Sequence, residues 1–390
     1  MKNECYDLIK QKVIEIKNQL TGSDKIGIYN GDAGALLFFA YLKSYLNTND
    51  YDEKINFLTT NVFKCIDPNY TNLTFGTGLS GSLWTVLHLI ENQFIDADID
   101  LNDINSLLKN SVSVFTDNSN FDFIHGSDGI VFYLLSADII NKKELTTFVN
   151  TLNQNAVKQS EGVYWKDQWA NEEHKPIVNF GLAHGIVSKI ILLNQILKKY
   201  PSLQIADELL KNIITTVLKF KSQKLTRSLF PSYSTENGLF SPSRLAWCYG
   251  DLGIASAFWQ VGNSMNLSSL KAEAIEIMLY NAKRRDLKEN GISDAGICHG
   301  TAGIAHIYNR FYKQTGIKEF DDARWYWINE TLKLANQKDG LAGFKTWKGG
   351  HGWHNDTGLL EGIAGIGLVF LGFLTEDIKD LNWDECLLLS

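Results

Sequence analysis

A pair of small residues, three positions apart, recurs along this chain just before apolar stretches of helical length. The first glycines of successive pairs are separated by 47 to 65 residues, a spacing typical of arrays of helical hairpins. The pairs are Gly31 and Gly34, Gly78 and Gly81, Gly126 and Gly129, Gly185 and Ser188, Gly250 and Gly253, Gly300 and Gly303, and Gly362 and Gly365. This repeat predicts seven hairpins.

Two kinds of segment alternate along the repeat. Stretches such as Ala35–Leu46 and Ile186–Leu197 follow a glycine pair and are almost wholly apolar. Stretches such as Tyr6–Leu20 and Ile205–Lys221 carry apolar residues every three or four positions with charges between them, which is typical of amphipathic helices. We therefore predict an all-α fold, an α/α toroid with seven inner and seven outer helices. The alternative is an irregular helical bundle with incidental glycines.

The rest of the chain favours one domain over residues 1–390. It has only 5 prolines, and no Pro-, Gly- or Ser-rich linker divides it. Two stretches, Ser160–Phe180 and Ser222–Ser243, are longer than the repeat needs, and long loops in compact domains tend to be functional. Their aromatic residues either line a peptide groove or seal the core: Trp165, Trp169, Tyr233 and Phe240.

Charge and cysteine content narrow the class of protein. A formal charge of −7 argues against nucleic acid as a partner. No run of about 18 apolar residues occurs, so we expect no transmembrane segment. The 5 cysteines are an odd number and sparse, which argues against a disulfide framework and for the cytoplasm. Of these, we predict that Cys5, Cys65 and Cys386 have no chemical role.

The other two cysteines occupy equivalent places in consecutive repeats. Cys248 lies two positions before Gly250, Cys298 lies two positions before Gly300, and His299 follows Cys298. Two thiolates and one imidazole suit zinc, and three protein ligands leave the fourth position open, as in catalytic zinc sites. Packing alone could explain a single buried cysteine, but the repeated position favours a metal site.

Further polar residues fall near the same repeated glycines. His184 directly precedes Gly185, Asp122 lies four positions before the third repeat's first glycine, and Arg244 and Tyr249 flank the first cysteine. A histidine before a helix is often a cap or a core residue. Its coincidence with the predicted metal site favours an active-site role for His184.

The remaining histidines are weaker candidates. His125 occupies the place of His184 in the preceding repeat and fits a site wall and a packing role equally well. His351, His354 and Asp356 precede the seventh repeat and are candidates for the same rim. His88 and His306 lie inside apolar stretches and are predicted to be core residues.

Four motifs resemble those of the lanthionine synthetase C-like family, and the likeness extends over essentially the whole chain. They are Trp247–Gly250 (WCYG), Cys298–Gly300 (CHG), Gly181–Gly185 (GLAHG) and Leu360–Gly365 (LEGIAG). The resemblance implies a double-ringed α/α toroid. It also implies zinc bound by Cys248, Cys298 and His299, and an active site containing His184, Asp122, Arg244 and Tyr249. Two departures, Ser188 and the Gly250–Gly253 segment (GDLG), affect helix entry rather than a ligand.

The activity implied by the resemblance is that of a lanthionine or methyllanthionine cyclase. A substrate cysteine thiol would add to a dehydroalanine or dehydrobutyrine of the same lanthipeptide precursor, with zinc favouring the thiolate. His184 is the expected proton donor to the enolate, or a proton shuttle, and Asp122 is expected to orient or charge it. Arg244 is expected to stabilise the enolate oxygen, and Tyr249 to position His184 or the substrate.

The expected partners are a dehydrated precursor peptide, a separate dehydratase and an exporter. One alternative is a zinc- and glutathione-binding relative that acts as a thiol transferase or regulator. Another is a non-catalytic scaffold of a peptide-modifying complex. A sugar-processing toroid would need paired carboxylates, whereas the predicted rim offers one clear carboxylate, Asp122.

Overall fold

A computed structural model describes residues 2–64, 70–97, 99–159, 162–165, 176–222, 227–235, 240–375 and 377–390. In these ranges fourteen α-helices alternate as predicted: α1 Lys2–Gln19, α2 Asp32–Leu46, α3 Asp52–Lys64, α4 Leu79–Glu91, α5 Asn102–Asp117, α6 Ser127–Ser136, α7 Lys142–Asn155, α8 Ile186–Lys199, α9 Gln204–Lys219, α10 Asp251–Ser264, α11 Ser268–Asn281, α12 Thr301–Thr315, α13 Lys318–Leu334 and α14 Ile363–Leu374.

The even-numbered helices are the apolar ones, and the first glycine of each pair is the N-cap. In α2, every residue from Asp32 to Leu42 is buried. The second residue of each pair lies inside the first helical turn. Helix α2 therefore begins at Asp32, before the predicted stretch Ala35–Leu46, whereas α8 begins at Ile186 as predicted. Helix α6 ends at Ser136, and Asp138 just beyond it takes a left-handed φ of 57°, which is incompatible with a continued helix.

The odd-numbered helices bury one stripe each. In α1 the buried residues are Cys5, Ile9, Val13 and Ile16, three or four positions apart. Burial of such a stripe supplies most of the stability of a short amphipathic helix, because isolated helices of this length are marginal in water. The amphipathic prediction is thus confirmed.

A recurring turn precedes the even-numbered helices. In five repeats an Asn or Asp stands six positions before the first glycine and accepts the backbone N–H two residues further on: Asn72, Asn120, Asn179, Asp294 and Asp356. In most of these turns the backbone carbonyl of the Asn or Asp lies against the first glycine. A β-carbon at Gly78 or at Gly185 would lie 2.3 Å from the carbonyl oxygen of the residue six positions earlier. Only glycine fits there.

The described residues form two compact units. The first comprises Met1–Ile104 and Gly291–Cys386, and it holds the loops of repeats one, two, six and seven. These loops are joined in series by backbone bonds: the N–H of Cys298 donates to the Leu360 carbonyl (3.0 Å), that of Leu360 to Tyr29 (3.1 Å), and that of Tyr29 to Gly76 (2.9 Å). The last repeat therefore adjoins the first.

The second unit comprises Asn105–Asn290 and Leu387–Ser390, with repeats three to five. The N–H groups of Leu182 and Ala183 donate to the Cys248 carbonyl at 2.9 and 3.3 Å, so the fourth and fifth loops are joined as well. Gly250 differs from the other first glycines because its φ is +100°, a region that favours glycine. In place of a second glycine, Ser188 bonds the Gly185 carbonyl (2.9 Å), and α8 starts as expected.

The two long stretches contribute short strands rather than helices. The strands are β1 Val157–Gln159, β2 Gly162–Tyr164, β3 Pro176–Asn179, β4 Pro231–Thr235 and β5 Phe240–Pro242, with β6 Thr346–Trp347 and β7 Trp353–His354 near the seventh repeat. All pairings are antiparallel, in the orders β1-β2, β3-β4-β5 and β6-β7. Trp165 is buried and donates to the Leu152 carbonyl (2.9 Å), so this residue seals the core. Trp169 lies outside the described residues.

Among the described residues, no helix has the length and apolar character needed to cross a membrane. The assignment of residues 1–390 to one domain stays a prediction.

Candidate active site and metal centre

A carboxylate–imidazole pair joins the third and fourth repeats of the second unit. Asp122 Oδ2 lies 2.7 Å from His184 Nδ1. The Asp122 side chain is 6% exposed and that of His184 is 26% exposed, so the pair has a buried acid and an accessible imidazole. The sequence placed both residues close to first glycines, and the structure brings them into direct contact.

The Asp122 carboxylate is held ionised. Burial alone would raise its pKa, but the hydrogen bond and charge of His184 and the backbone N–H of His125 outweigh burial and lower it. That N–H donates to Asp122 Oδ1 at 2.7 Å. A buried carboxylate of this kind fixes the orientation of its imidazole and stabilises the imidazolium form.

A buried lysine supports the loop that carries Asp122. Lys189 Nζ donates to the Phe121 carbonyl at 2.7 Å and pairs with Asp128 Oδ2 at 3.0 Å. All of Lys189 except 3% is buried, and its ammonium lies 5.4 Å from the centroid of a Trp165 ring. This support was not expected from the sequence.

The ring of Tyr249 also lies near that of His184. Its ring centroid is 6.5 Å from that of His184, and its hydroxyl accepts a hydrogen bond from Asn179 Nδ2 (3.2 Å). Asn179 also caps the turn before α8 through its other side-chain atom. Sequence reasoning missed Asn179, although the recurrence of Asn or Asp six positions before the first glycine could have revealed it.

Cys298 and His299 end the sixth loop in the first unit. Both are half-buried, and the Cys298 N–H is fixed to the Leu360 carbonyl. The sulfur atoms of Cys248 and Cys298 and a ring nitrogen of His299 all lie within 4.8 Å of one another. These three residues could hold a metal ion, as the sequence predicted.

The donor set fits zinc better than it fits a hard cation. Two sulfurs and one nitrogen are the ligands that zinc prefers, and ligands of a tetrahedral zinc–thiolate site lie about 4 Å apart. By contrast, burial raises the pKa of the Cys5 thiol to about 11 and that of Cys386 well above its usual range. Thiols with raised pKa values form little thiolate at neutral pH, and the predicted lack of a role for these two cysteines stays a prediction. Cys65 lies outside the described residues.

The other candidates are placed as follows. Arg244 is exposed. His88 and His306 are buried, which confirms their core assignment. His351 and His354 are exposed around strand β7, and neither belongs to the potential ligand cluster found among the described residues.

The chain is similar to a known family in sequence and to known proteins in structure. The family model described as "Lanthionine synthetase C-like protein" matches residues 22–388. No curated protein matches the sequence. Among solved structures, one named "Nisin cyclase" is similar, with a TM-score of 0.72, 22% identity, and coverage of 100% of this chain and 98% of that one. Another, "Crystal structure of sugar epimerase from ruminal bacterium", has a TM-score of 0.45 and 12% identity over 95% and 98% of the chains, too remote to bear on function.

The likeness to the first of these structures covers the whole chain, and it confirms the predicted fold class. The chain has the α/α-toroid fold of paired helices.

Proposed function

This chain belongs to the lanthionine synthetase C-like family, and we propose that it is a zinc-dependent cyclase that forms lanthionine or methyllanthionine rings in a dehydrated precursor peptide. The observation that carries the proposal is the set of Cys248, Cys298 and His299, whose ligand atoms lie within 4.8 Å of one another. These three residues would hold the zinc, which would supply charge that favours the thiolate form of a substrate thiol, whose ordinary pKa is about 8.5.

His184 is the proposed proton donor of the reaction. Addition of the thiolate to the β-carbon forms the C–S bond and moves the π electrons into an enolate, whose α-carbon must then be protonated. With Nδ1 held by Asp122, the transfer would run through Nε2. The buried carboxylate favours the imidazolium that this step requires, and general acid catalysis of this kind contributes roughly 10² to 10⁴ in rate.

Arg244 and Tyr249 have supporting roles in the proposal. The exposed guanidinium of Arg244 is permanently charged and is suited to the developing enolate oxygen. Tyr249, held by Asn179, would limit the movement of the His184 ring. A separate dehydratase would supply the substrate and an exporter would remove the product.

The test measures bound zinc and ring closure on the same protein. We expect about one zinc per chain, and a dehydrated peptide should lose its free thiol without a change in mass. Cys298→Ala should lose both the metal and the activity, whereas Cys5→Ala, at a buried helical cysteine, should keep both.

Two results would contradict the proposal. If folded wild-type protein held no zinc, the proposed metal centre would be wrong. Formation of a glutathione adduct in place of the ring, when both thiols are offered, would favour the glutathione-binding alternative.

A further inference from the structure

One carboxylate contacts two histidines in the second unit, the ring of one and the backbone of the other. Asp122 Oδ2 bonds the His184 ring at 2.7 Å, and Asp122 Oδ1 accepts the backbone N–H of His125, also at 2.7 Å. The Lys189 ammonium fixes the same loop through the Phe121 carbonyl. His125 is therefore held by the same anchors as the proposed proton donor.

The two rings face one another. Their centroids are 5.9 Å apart and their planes differ by 16°, and both residues are partly exposed. A histidine that only packed the core would be expected to be buried, as His88 and His306 are. The two stacked imidazoles therefore both present part of their surface to solvent.

The charges around His125 favour its neutral form. Burial lowers the pKa of His125, the Asp122 carboxylate opposes that effect, and the positive charge of His184 lowers the pKa further, with a net value below 6.5. Beneath the loop, Asp128 and Lys189 form a buried ion pair. Neighbouring groups whose environments favour opposite protonation states are typical of acid–base pairs in active sites.

We propose that His125 is a second acid–base group of this site, which accepts the proton released by the substrate thiol while His184 protonates the α-carbon. This inference rests on the proposed cyclase function. It assigns a base to a reaction for which the sequence predicted only His184, as a proton donor or shuttle.

The proton balance of the cycle closes. The thiol proton passes to a ring nitrogen of neutral His125, and the sulfur forms the C–S bond with the β-carbon. The enolate takes a proton at its α-carbon from imidazolium His184. His125 has then gained one proton and His184 has lost one, and exchange with water restores both because both rings are partly exposed. No oxidant or reductant is needed.

The test compares two replacements of His125 in the zinc-loaded full-length protein. His125→Phe keeps a flat ring against His184 and removes the nitrogens, whereas His125→Asn keeps polarity and removes the ring. If His125 is the base, both variants should retain zinc and both should lose about 100-fold in kcat/KM. The acid limb of the pH profile should also disappear, because only neutral His125 is active. Wild-type kcat/KM in His125→Phe would overturn the inference.

Histidine NMR gives a readout that does not depend on activity. The His125 midpoint should lie below 6.5, rise in His184→Asn, and fall further in Asp122→Asn. A midpoint that neither variant moves would contradict the proposed coupling. The two levels of proposal fail differently: if wild-type protein forms no thioether the cyclase function is wrong, whereas an active wild type with a fully active His125→Phe removes only the role of His125.

Discussion

Two Asp–His hydrogen bonds have the same length but lie in different surroundings. His184 Nδ1 and Asp122 Oδ2 are 2.7 Å apart at the rim of the second unit, and the imidazole is 26% exposed. His306 Nε2 and Asp384 Oδ2 are also 2.7 Å apart, in the first unit, with both side chains 0% exposed. Arg310 donates to both oxygens of Asp384 at 2.8 and 2.7 Å.

The difference shows that hydrogen-bond geometry does not by itself indicate an active site. Arg310 neutralises Asp384, and Trp383 packs against the His306 ring with centroids 4.7 Å apart. The buried cluster fixes the C-terminal segment, where Tyr29 also donates to the Cys386 carbonyl (2.6 Å). The Asp122–His184 pair instead combines a buried carboxylate with an accessible imidazole, which is the arrangement that proton transfer needs.

The largest expected contrast is between the two histidines. His184→Asn should lower the cyclisation rate by about 10² to 10⁴ while leaving zinc bound, because the general acid is lost. The matched variant His306→Asn should keep the wild-type rate per folded molecule. Ring closure followed by mass spectrometry with a thiol label tests both. Equal rates in the two variants would contradict the proposal that His184 acts in the reaction and His306 does not.

The carboxylates should show the reverse order in stability. Asp384→Asn leaves the Arg310 guanidinium buried without its counter-charge and should lower the free energy of unfolding by about 3–5 kcal/mol. Asp122→Asn removes a hydrogen bond to a partly exposed imidazole and should cost about 1–3 kcal/mol. Urea denaturation measures both, and a larger loss for Asp122→Asn would contradict this assignment of roles.

Acid should weaken both pairs. In the folded protein the pKa of Asp122 and that of Asp384 lie below the ordinary value: burial raises each, but His184 and the His125 N–H outweigh it at Asp122, as Arg310 and His306 do at Asp384. Their stabilisation is therefore present above the unfolded pKa of about 3.9 and is lost as the pH falls through the folded values.

The unfolding free energy should then fall below about pH 4 with a slope of up to about 1.4 kcal/mol per pH unit for each group. Either Asp→Asn variant should reduce that slope in urea titrations across this range. An unchanged slope would show that folding does not shift the pKa of that carboxylate.

The smallest effect is expected at Tyr249. Tyr249→Phe removes the hydroxyl that accepts from Asn179 and should lower stability by about 0.5–1.5 kcal/mol. If Tyr249 orients His184, kcat should fall while KM for the peptide stays the same. A change in KM alone would indicate that Tyr249 contacts the substrate instead.

Much of this molecule follows from local sequence. The repeat of glycine pairs predicted fourteen alternating helices, and the structure has them. It also shows why glycine is required: a β-carbon at a first glycine such as Gly78 would collide with the backbone of the preceding turn. Equivalent repeat positions also predicted that Cys248 and Cys298 meet, and the structure brings their sulfurs together with His299. The Asn and Asp residues of the turns also recur at a fixed distance before the first glycine. Sequence reasoning missed this recurrence, because these residues take no part in an apolar periodicity.

Other features depended on contacts between distant parts of the chain. The sequence separated His184, which directly precedes a first glycine, from His306, which lies inside an apolar stretch, but it did not predict that His306 also bonds a carboxylate. Only the tertiary structure supplies Arg310 to one carboxylate and partial exposure to the other imidazole. Likewise, the stacking of His125 on His184 and the support from Lys189 join residues about sixty positions apart. The sequence determined which chemical groups each repeat presents, whereas burial and charge neutralisation, which are set by packing, decided which of them can react.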